Sequence, residues 1–335
     1  MIPAEPPTMK ELQFILAALA QHQAKAAVLA TLVRVEGSSY RRPGARLLLL
    51  EDGTRCGSIS GGCLEDDVVT RAQAVLASGK PQTVVYDTTS ENDLVWGTGL
   101  GCHGIVRVLL EKLPPAPVWA AVLRANLSAG RDTLLAVGYD EPAALGTQLA
   151  ADEKNSAGIF LETVAPPTPL VIFGAGDDAR PLSRFAKELG WHVTIADSRP
   201  GYVTAARFPE ADEFAVGHSG SPTTGVALSP RTVAVIMTHR YKDDLPLLRA
   251  LLPQPLAYLG LLGPKKRAER MLETLGHEGL RITAEMHARL HAPVGLDLGA
   301  TTPETVALSI LAEIQARLGG RTPIHLRERT APIHD

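Results

Sequence analysis

Apolar and polar positions along this chain follow two successive patterns. A proline-rich leader gives way near Met9 to an amphipathic helix over Lys10–Gln23, with Leu12, Ile15, Leu16 and Leu19 on one face. Val28–Val35 then reads as a strand and Gly37–Gly44 as a turn-rich polar loop. Leu47–Leu50 is a short apolar strand closed by the turn signal Glu51-Asp52-Gly53. Leu64–Ala77 has helical periodicity, while Thr83–Tyr86 and Ile105–Leu110 read as strands. Val118–Val164 alternates short apolar runs with Gly and Asp, which predicts a helix and then strands completing the same sheet.

From Leu170 the pattern changes to strands and helices in regular alternation. Leu170–Phe173, His192–Ala196, Glu213–Val216, Val233–Met237 and Leu256–Leu259 are strand-like. Ala179–Leu189, Asp243–Leu252 and Lys265–Leu275 are helix-like, and a last helix runs from Pro303 to Leu318 with Thr302 as cap and Gly319 as stop. Such alternation is the signature of βαβ units around a parallel sheet. The clusters Pro114-Pro115-Ala116-Pro117 and Pro166-Pro167-Thr168-Pro169 punctuate the chain. The predicted architecture is α/β: a mixed α/β domain over 1–165, then a Rossmann-like, doubly wound parallel-sheet domain over 166–335.

Composition narrows the function classes. A length of 335 residues suits two domains. Lys+Arg 33 against Asp+Glu 36 leaves a net charge of −3, with no basic excess to neutralise a phosphate backbone, so nucleic-acid binding is disfavoured. Three cysteines are too few for a disulfide framework and point to a reducing compartment. The N-terminus lacks the features of a signal peptide, and no stretch is long and apolar enough for a membrane span. The expectation is a cytoplasmic protein.

The first candidate chemistry is Gly174-Ala175-Gly176-Asp177-Asp178-Ala179, which follows a strand directly and opens a helix. In that context the first glycine permits a tight turn and the second, Gly176, lets a phosphate approach the backbone. Asp197 ends the next strand, where a carboxylate would hydrogen-bond a ribose hydroxyl. Asp177 and Asp178 cut against this, since their charge would repel a pyrophosphate; Asp178 could instead cap the helix. His239 follows the strand Val233–Met237, at the edge where open α/β sheets bind ligands. Lys265, Lys266 and Arg267 place three cations in the first turn of a helix, opposing its dipole, and an anionic ligand is a sensible partner.

The second candidate is a pair of cysteine loops. Cys63 follows Gly61-Gly62 at a helix start, where the dipole favours a thiolate, although Glu65, Asp66 and Asp67 push the other way. Cys102 follows Gly101 in Trp96-Gly97-Thr98-Gly99-Leu100-Gly101-Cys102-His103-Gly104, a density of glycine that means close backbone approach or positive φ. No C-x-x-C pair exists, so a closed zinc site is disfavoured. Cys56 reads as a small buried hydrophobe, whereas Cys63 and Cys102 read as accessible soft ligands for a thiophilic partner.

These stretches resemble one family. Glu36-Gly37-Ser38-Ser39-Tyr40-Arg41-Arg42-Pro43-Gly44-Ala45 is similar to the opening motif of the XdhC/CoxI proteins, accessory to xanthine dehydrogenase and related molybdenum hydroxylases. Gly57-Ser58-Ile59-Ser60-Gly61-Gly62-Cys63-Leu64-Glu65 and Gly99-Leu100-Gly101-Cys102-His103-Gly104 resemble its two cysteine motifs. Phe173-Gly174-Ala175-Gly176, Ala196-Asp197-Ser198-Arg199, Thr238-His239, Gly260-Leu261-Leu262-Gly263 and the run Pro293–Glu304 resemble its Rossmann-like half.

The resemblance implies a chaperone, not an enzyme in its own right. It would bind molybdopterin, the molybdenum cofactor, protect it while a cysteine desulfurase installs the sulfido ligand, and insert it into an apo-molybdenum hydroxylase of the xanthine or aldehyde dehydrogenase type. Cys63 and Cys102 become candidate contacts to molybdenum, Gly61, Gly62 and Gly101 their flanking loops, and a homodimer is an expectation. The sequence departs where the family commonly has histidine and this chain has Asp177, and His103 replaces what is often glycine. The alternative is an NAD(P)-dependent oxidoreductase using Gly174, Gly176 and Asp197, though no proton-transfer pair is evident near them. A molybdopterin nucleotidyltransferase is weaker, because no glycine-rich, arginine-bearing nucleotide loop lies near the N-terminus.

Overall fold

The computed structural model describes residues 9–87, 104–141, 144–153, 156–218 and 220–330. The chain divides into two compact units, with the change at Pro166/Pro167.

The first unit opens with helix α1 (Met9–Gln21), followed by β1 (Ala27–Gly37), β2 (Arg46–Leu50) and β3 (Arg55–Gly57). Helix α2 (Glu65–Ser78), β4 (Gln82–Asp87) and β5 (Gly104–Leu113) follow. The five strands form one sheet in the order β3-β2-β1-β5-β4, every neighbouring pair antiparallel. Successive side chains of a strand point to opposite faces, and here both faces are covered. Val28, Ala30, Leu32, Leu47 and Leu49 meet Val68, Ala72 and Val75 of α2. Leu29, Leu48 and Leu50 meet Leu12, Ile15 and Leu16 of α1 and Trp119 and Leu123 of α3 (Val118–Ser128). That explains the unbroken apolar runs in β1 and β2, where one-sided burial would have alternated.

The expectation that residues after α3 complete this sheet is corrected. Strands β6 (Thr133–Gly138), β7 (Gly146–Leu149) and β8 (Ile159–Val164) form a separate antiparallel sheet in the order β7-β6-β8. Both edges of β6 are occupied by its own neighbours, so it has no edge left to pair with the larger sheet. It attaches through a face instead, Val137 and Tyr139 packing on Val33 and Leu109. Two buried polar contacts fasten the sheets together. Arg46 donates to Glu162 Oε2 at 2.5 Å, and the amide of Thr147 donates to Glu111 at 3.0 Å. Burial pushes the Glu111 carboxyl up, against the opposing pull of Thr147 and Arg46.

The second unit runs β9 (Pro169–Phe173), α4 (Ala179–Glu188), β10 (His192–Asp197), β11 (Glu213–Val216), β12 (Val233–Ile236) and α5 (Tyr241–Leu251). It continues with β13 (Tyr258–Leu261), α6 (Lys265–His277), α7 (Ala284–Arg289), β14 (Leu290–His291) and α8 (Pro303–Leu318). The sheet is parallel throughout, in the order β11-β10-β9-β12-β13-β14. Helices α4 and α8 cover one face through Leu182, Ala186, Ile310 and Ile314. Helices α5 and α6 cover the other through Leu248, Leu251, Met271 and Leu275. This is the doubly wound arrangement, and the order reverses between β9 and β12, where such sheets open a crevice at their carboxyl ends. The strand predicted at Leu256–Leu259 lies two residues later, and the short β14 edge strand carries too few residues to produce a pattern. Helix α8 begins with a capping box between Thr302 and Thr305 and has Pro303 in its first turn.

Candidate functional site

In the second unit, the loop after β9 and the loop after β12 meet at the carboxyl edge of the sheet. Gly174 has φ +123°, and a Cβ there would lie 2.5 Å from the carbonyl oxygen of Met237. The first glycine is thus demanded by the close approach of two strands. The amide of Gly174 donates to Ala196 O at 2.8 Å, and that of Ala175 to Asp197 Oδ2 at 2.8 Å.

Asp197 has an internal task. Its side chain is fully enclosed. Oδ1 accepts from the amide and Nε of Arg199, both at 2.9 Å, and Oδ2 accepts from Arg199 Nη2 at 2.7 Å as well as from Ala175. Burial alone would raise its pKa; the bonds from Arg199 and Ala175 outweigh that and hold the carboxyl below its usual range. The carboxylate read from sequence as a ribose acceptor therefore spends its oxygens anchoring the glycine loop.

The two aspartates expected to repel a phosphate are each matched with a basic side chain. Asp177 faces Arg207 Nη2 at 2.9 Å, and Asp178 faces His239 Nε2 at 2.5 Å. Asp178 stands at the N-cap of α4, yet its side chain caps no amide there. His239 has φ +62°, a left-handed conformation uncommon for a residue other than glycine and often associated with function.

Beside these loops lies a cleft of about 300 Å³ lined by Phe173, Asp197, Ser198, His218, Thr238 and Lys242, among others. Arg240 donates to Ser198 Oγ at 3.3 Å. Thr238 Oγ1 donates to Asp244 at 2.5 Å, and Arg267 pairs with the same carboxylate. Burial pushes the Asp244 carboxyl up, and Thr238 and Arg267 only partly offset it. Arg267 is thereby drawn inward, out of the predicted cationic cluster. Lys265 and Lys266 stay exposed, Lys265 lying 4.0 Å from Glu269, and neither lines the cleft.

In the first unit, β3 leads into the first cysteine loop, which is organised by Glu65. Its Oε1 accepts from Ser58 Oγ at 2.8 Å and from the amide of Ser60 at 2.9 Å, and Oε2 from the hydroxyl of Ser60. Ser60 Oγ in turn accepts the amides of Gly62, Cys63 and Leu64, each at 3.1 Å. The amides of the three residues leading into α2 are thus satisfied within the loop. Burial would raise the Glu65 pKa, but the bonds from Ser60 and Ser58 prevail and hold it below the usual range. The result is a rigid loop with the Cys63 side chain exposed. Gly62 has φ +109° with open space beside it, and Gly61 lies against the ring of Tyr40, itself 69% exposed.

Cys56 sits on β3, partly buried against the cluster around α1, and burial pushes its thiol up. Gly101, Cys102 and His103 lie outside the described residues. Sequence reasoning passed over the Ser58–Ser60–Glu65 network, although a hydroxyl followed by a carboxylate at a helix start is the available signal. It also passed over the role of Arg207, which no local pattern marks. Among the described residues, no helix is long and apolar enough to cross a membrane.

Comparisons with known proteins converge. Residues 170–314 match the family described as XdhC Rossmann domain, and residues 20–87 match the XdhC and CoxI family. A probable xanthine dehydrogenase subunit of Bacillus subtilis (strain 168) is 32% identical over 312 residues, spanning 86% of this chain and 92% of that one. The molybdenum cofactor insertion chaperone PaoD of Escherichia coli (strain K12) is 29% identical over 293 residues, 87% of this chain and 83% of that one. A crystal structure described as a xanthine dehydrogenase from Bacillus halodurans superposes with a TM-score of 0.78 at 34% identity, covering 93% of this chain and 96% of the other.

Proposed function

The chain belongs to the XdhC and CoxI family, and from that footing we propose that it binds the molybdenum cofactor as cargo and delivers it to a molybdenum hydroxylase of the xanthine dehydrogenase type. The observation that carries this reading is similarity over most of the chain to two proteins, one named for that enzyme and one for cofactor insertion. Two features of the chain's own residues support it. Cys63 is an exposed thiol on a loop pre-organised by Ser60 and Glu65, suited to a soft metal–sulfur centre. The carboxyl edge of the parallel sheet, with Gly174, Gly176, Thr238 and His239, suits the cargo's phosphate.

In this reading Gly61 and Gly62 give the metal end of the cargo access to Cys63, and Gly101 and Cys102 act as a second such loop. Asp197 serves by holding the glycine loop in place, and Lys265 and Lys266 add positive potential on the same unit. The cargo is shielded while a cysteine desulfurase supplies its sulfido ligand, and the chaperone acts as a homodimer in the cytoplasm. Anaerobic purification followed by acid release of the fluorescent pterin tests the binding, and reconstitution of the apo-hydroxylase tests delivery. Absence of pterin together with no effect on activation would sink the reading.

The NAD(P) alternative is weakened by Asp197, whose oxygens are already engaged. Fluorescence titration with NADH discriminates: saturable binding would favour the dehydrogenase reading.

A further inference from the structure

We propose that the Asp178 carboxylate occupies the anion position above Gly176 in the free protein, and that a phosphate-bearing ligand enters by displacing it and taking over its partner, His239. The proposal deepens the reading above and rests on its placing the cargo's phosphate at this edge. In dinucleotide-binding folds the second glycine of the loop is bare so that a pyrophosphate can approach the backbone. Here that face is covered: a Cβ built on Gly176 would lie 2.5 Å from Asp178 Oδ1. Gly176 has no positive φ to require glycine, so the absent side chain makes room for a carboxylate.

The other oxygen of Asp178 faces His239 Nε2 at 2.5 Å. Asp178 keeps only 18% of its side chain exposed, against 56% for His239, so the ring lies outermost. The carboxylate fills the position without meeting all of its demand. Among the described residues, the amides of Gly176, Asp177 and Asp178 donate no hydrogen bond. Three successive amides left without an acceptor at the start of α4, beside the His239 imidazole, are donors that a phosphate can serve with several oxygens, whereas the Asp178 carboxylate accepts from none of them. Displacement exchanges one anion for another around a retained imidazole. The free loop is thereby protected from stray phosphates until a ligand with further contacts arrives.

Asp177 provides an internal comparison. It carries the same charge on the same loop, but its side chain is 80% exposed and pairs with Arg207. Removing either carboxylate lowers the local negative charge equally, and only removal of Asp178 uncovers Gly176.

The test is calorimetric titration of the full chain with inorganic pyrophosphate, comparing wild type, Asp178→Ala and Asp177→Ala. We expect Asp178→Ala to bind about tenfold tighter than wild type and Asp177→Ala to gain no more than about threefold, the latter from screened long-range charge. Adding His239→Asn to Asp178→Ala should abolish the gain. No gain in Asp178→Ala, equal gains in both single variants, or a gain that survives loss of His239 would each overturn the proposal. Should Asp178→Ala not fold, the wild type decides: saturating pyrophosphate must shift the Gly176 amide and His239 ring resonances together, and a shift at neither overturns it. Pterin release is read separately, so the cargo reading and this one can fail independently.

Discussion

The two glycines of the β9–α4 loop should respond very differently to alanine. At Gly174 the new Cβ would meet Met237 O at 2.5 Å, Met237 C at 2.6 Å and Thr238 N at 2.8 Å. All three are backbone atoms, and the Met237 amide is tied to Phe173 O at 2.8 Å. Relief therefore requires parting β9 from β12. Positive φ adds about 1–3 kcal/mol of strain for a non-glycine residue, and overpacking a rigid site about 1–3 kcal/mol more. We expect Gly174→Ala to cost about 4 kcal/mol. At Gly176 the clash is with Asp178 Oδ1, the free end of a side chain that can turn away. The loss is the partly exposed Asp178–His239 hydrogen bond, worth about 0–1 kcal/mol, offset by about 0.4–1 kcal/mol from the stiffer unfolded chain. Gly176→Ala should be nearly neutral. Urea unfolding followed by the fluorescence of Trp191, fully buried in this unit, measures both in a Trp96→Phe, Trp119→Phe background. Equal costs, or a greater cost at Gly176, would refute the argument that strand packing dictates the first glycine.

Three further outcomes are expected. Cys63→Ala should change stability by no more than about 0.5 kcal/mol, because the side chain is exposed, while the pterin retained on anaerobic purification falls; a destabilised variant would contradict the loop geometry. Glu65 has a depressed folded pKa, so its stabilisation is fully present above the unfolded glutamate value of about 4.3 and is lost as pH falls below it toward the folded value. Hydrogen-exchange protection factors of the 58–64 segment, taken against the intrinsic rate at each pH, should fall correspondingly between pH 5 and pH 3 in wild type, and stay low throughout in Glu65→Ala; a flat wild-type protection profile would refute this. Tyr258→Phe removes a phenol that donates to Glu313, while Glu313 keeps the amide of Gly295 at 2.9 Å and His291 Nδ1 at 3.1 Å. The cost by urea unfolding should be about 1–2 kcal/mol, and a cost above about 4 kcal/mol would mean that the whole cluster collapses.

Much of the architecture could be read from the chain itself, because the signals involved are local. The apolar spacing of α1, the short runs of β9, β10 and β12 and the cap of α8 each depend on residues within a few positions of one another. The glycine motif was legible for the same reason, as a strand, a turn and a helix start in immediate succession. Tertiary structure decided what these pieces do. Hydrophobic period says which side of a strand is buried but not which strand lies beside it, so the independence of the β7-β6-β8 sheet was hidden. Charge on a loop says nothing of the partner that folding delivers. Asp177 and Asp178 looked like obstacles to an anion until strand order brought Arg207 and His239, 30 and 61 residues away, to face them. The sequence by itself determined the elements and named the loops; the sheet order determined their partners, because an ion pair depends on distance in space, which a linear chain does not encode.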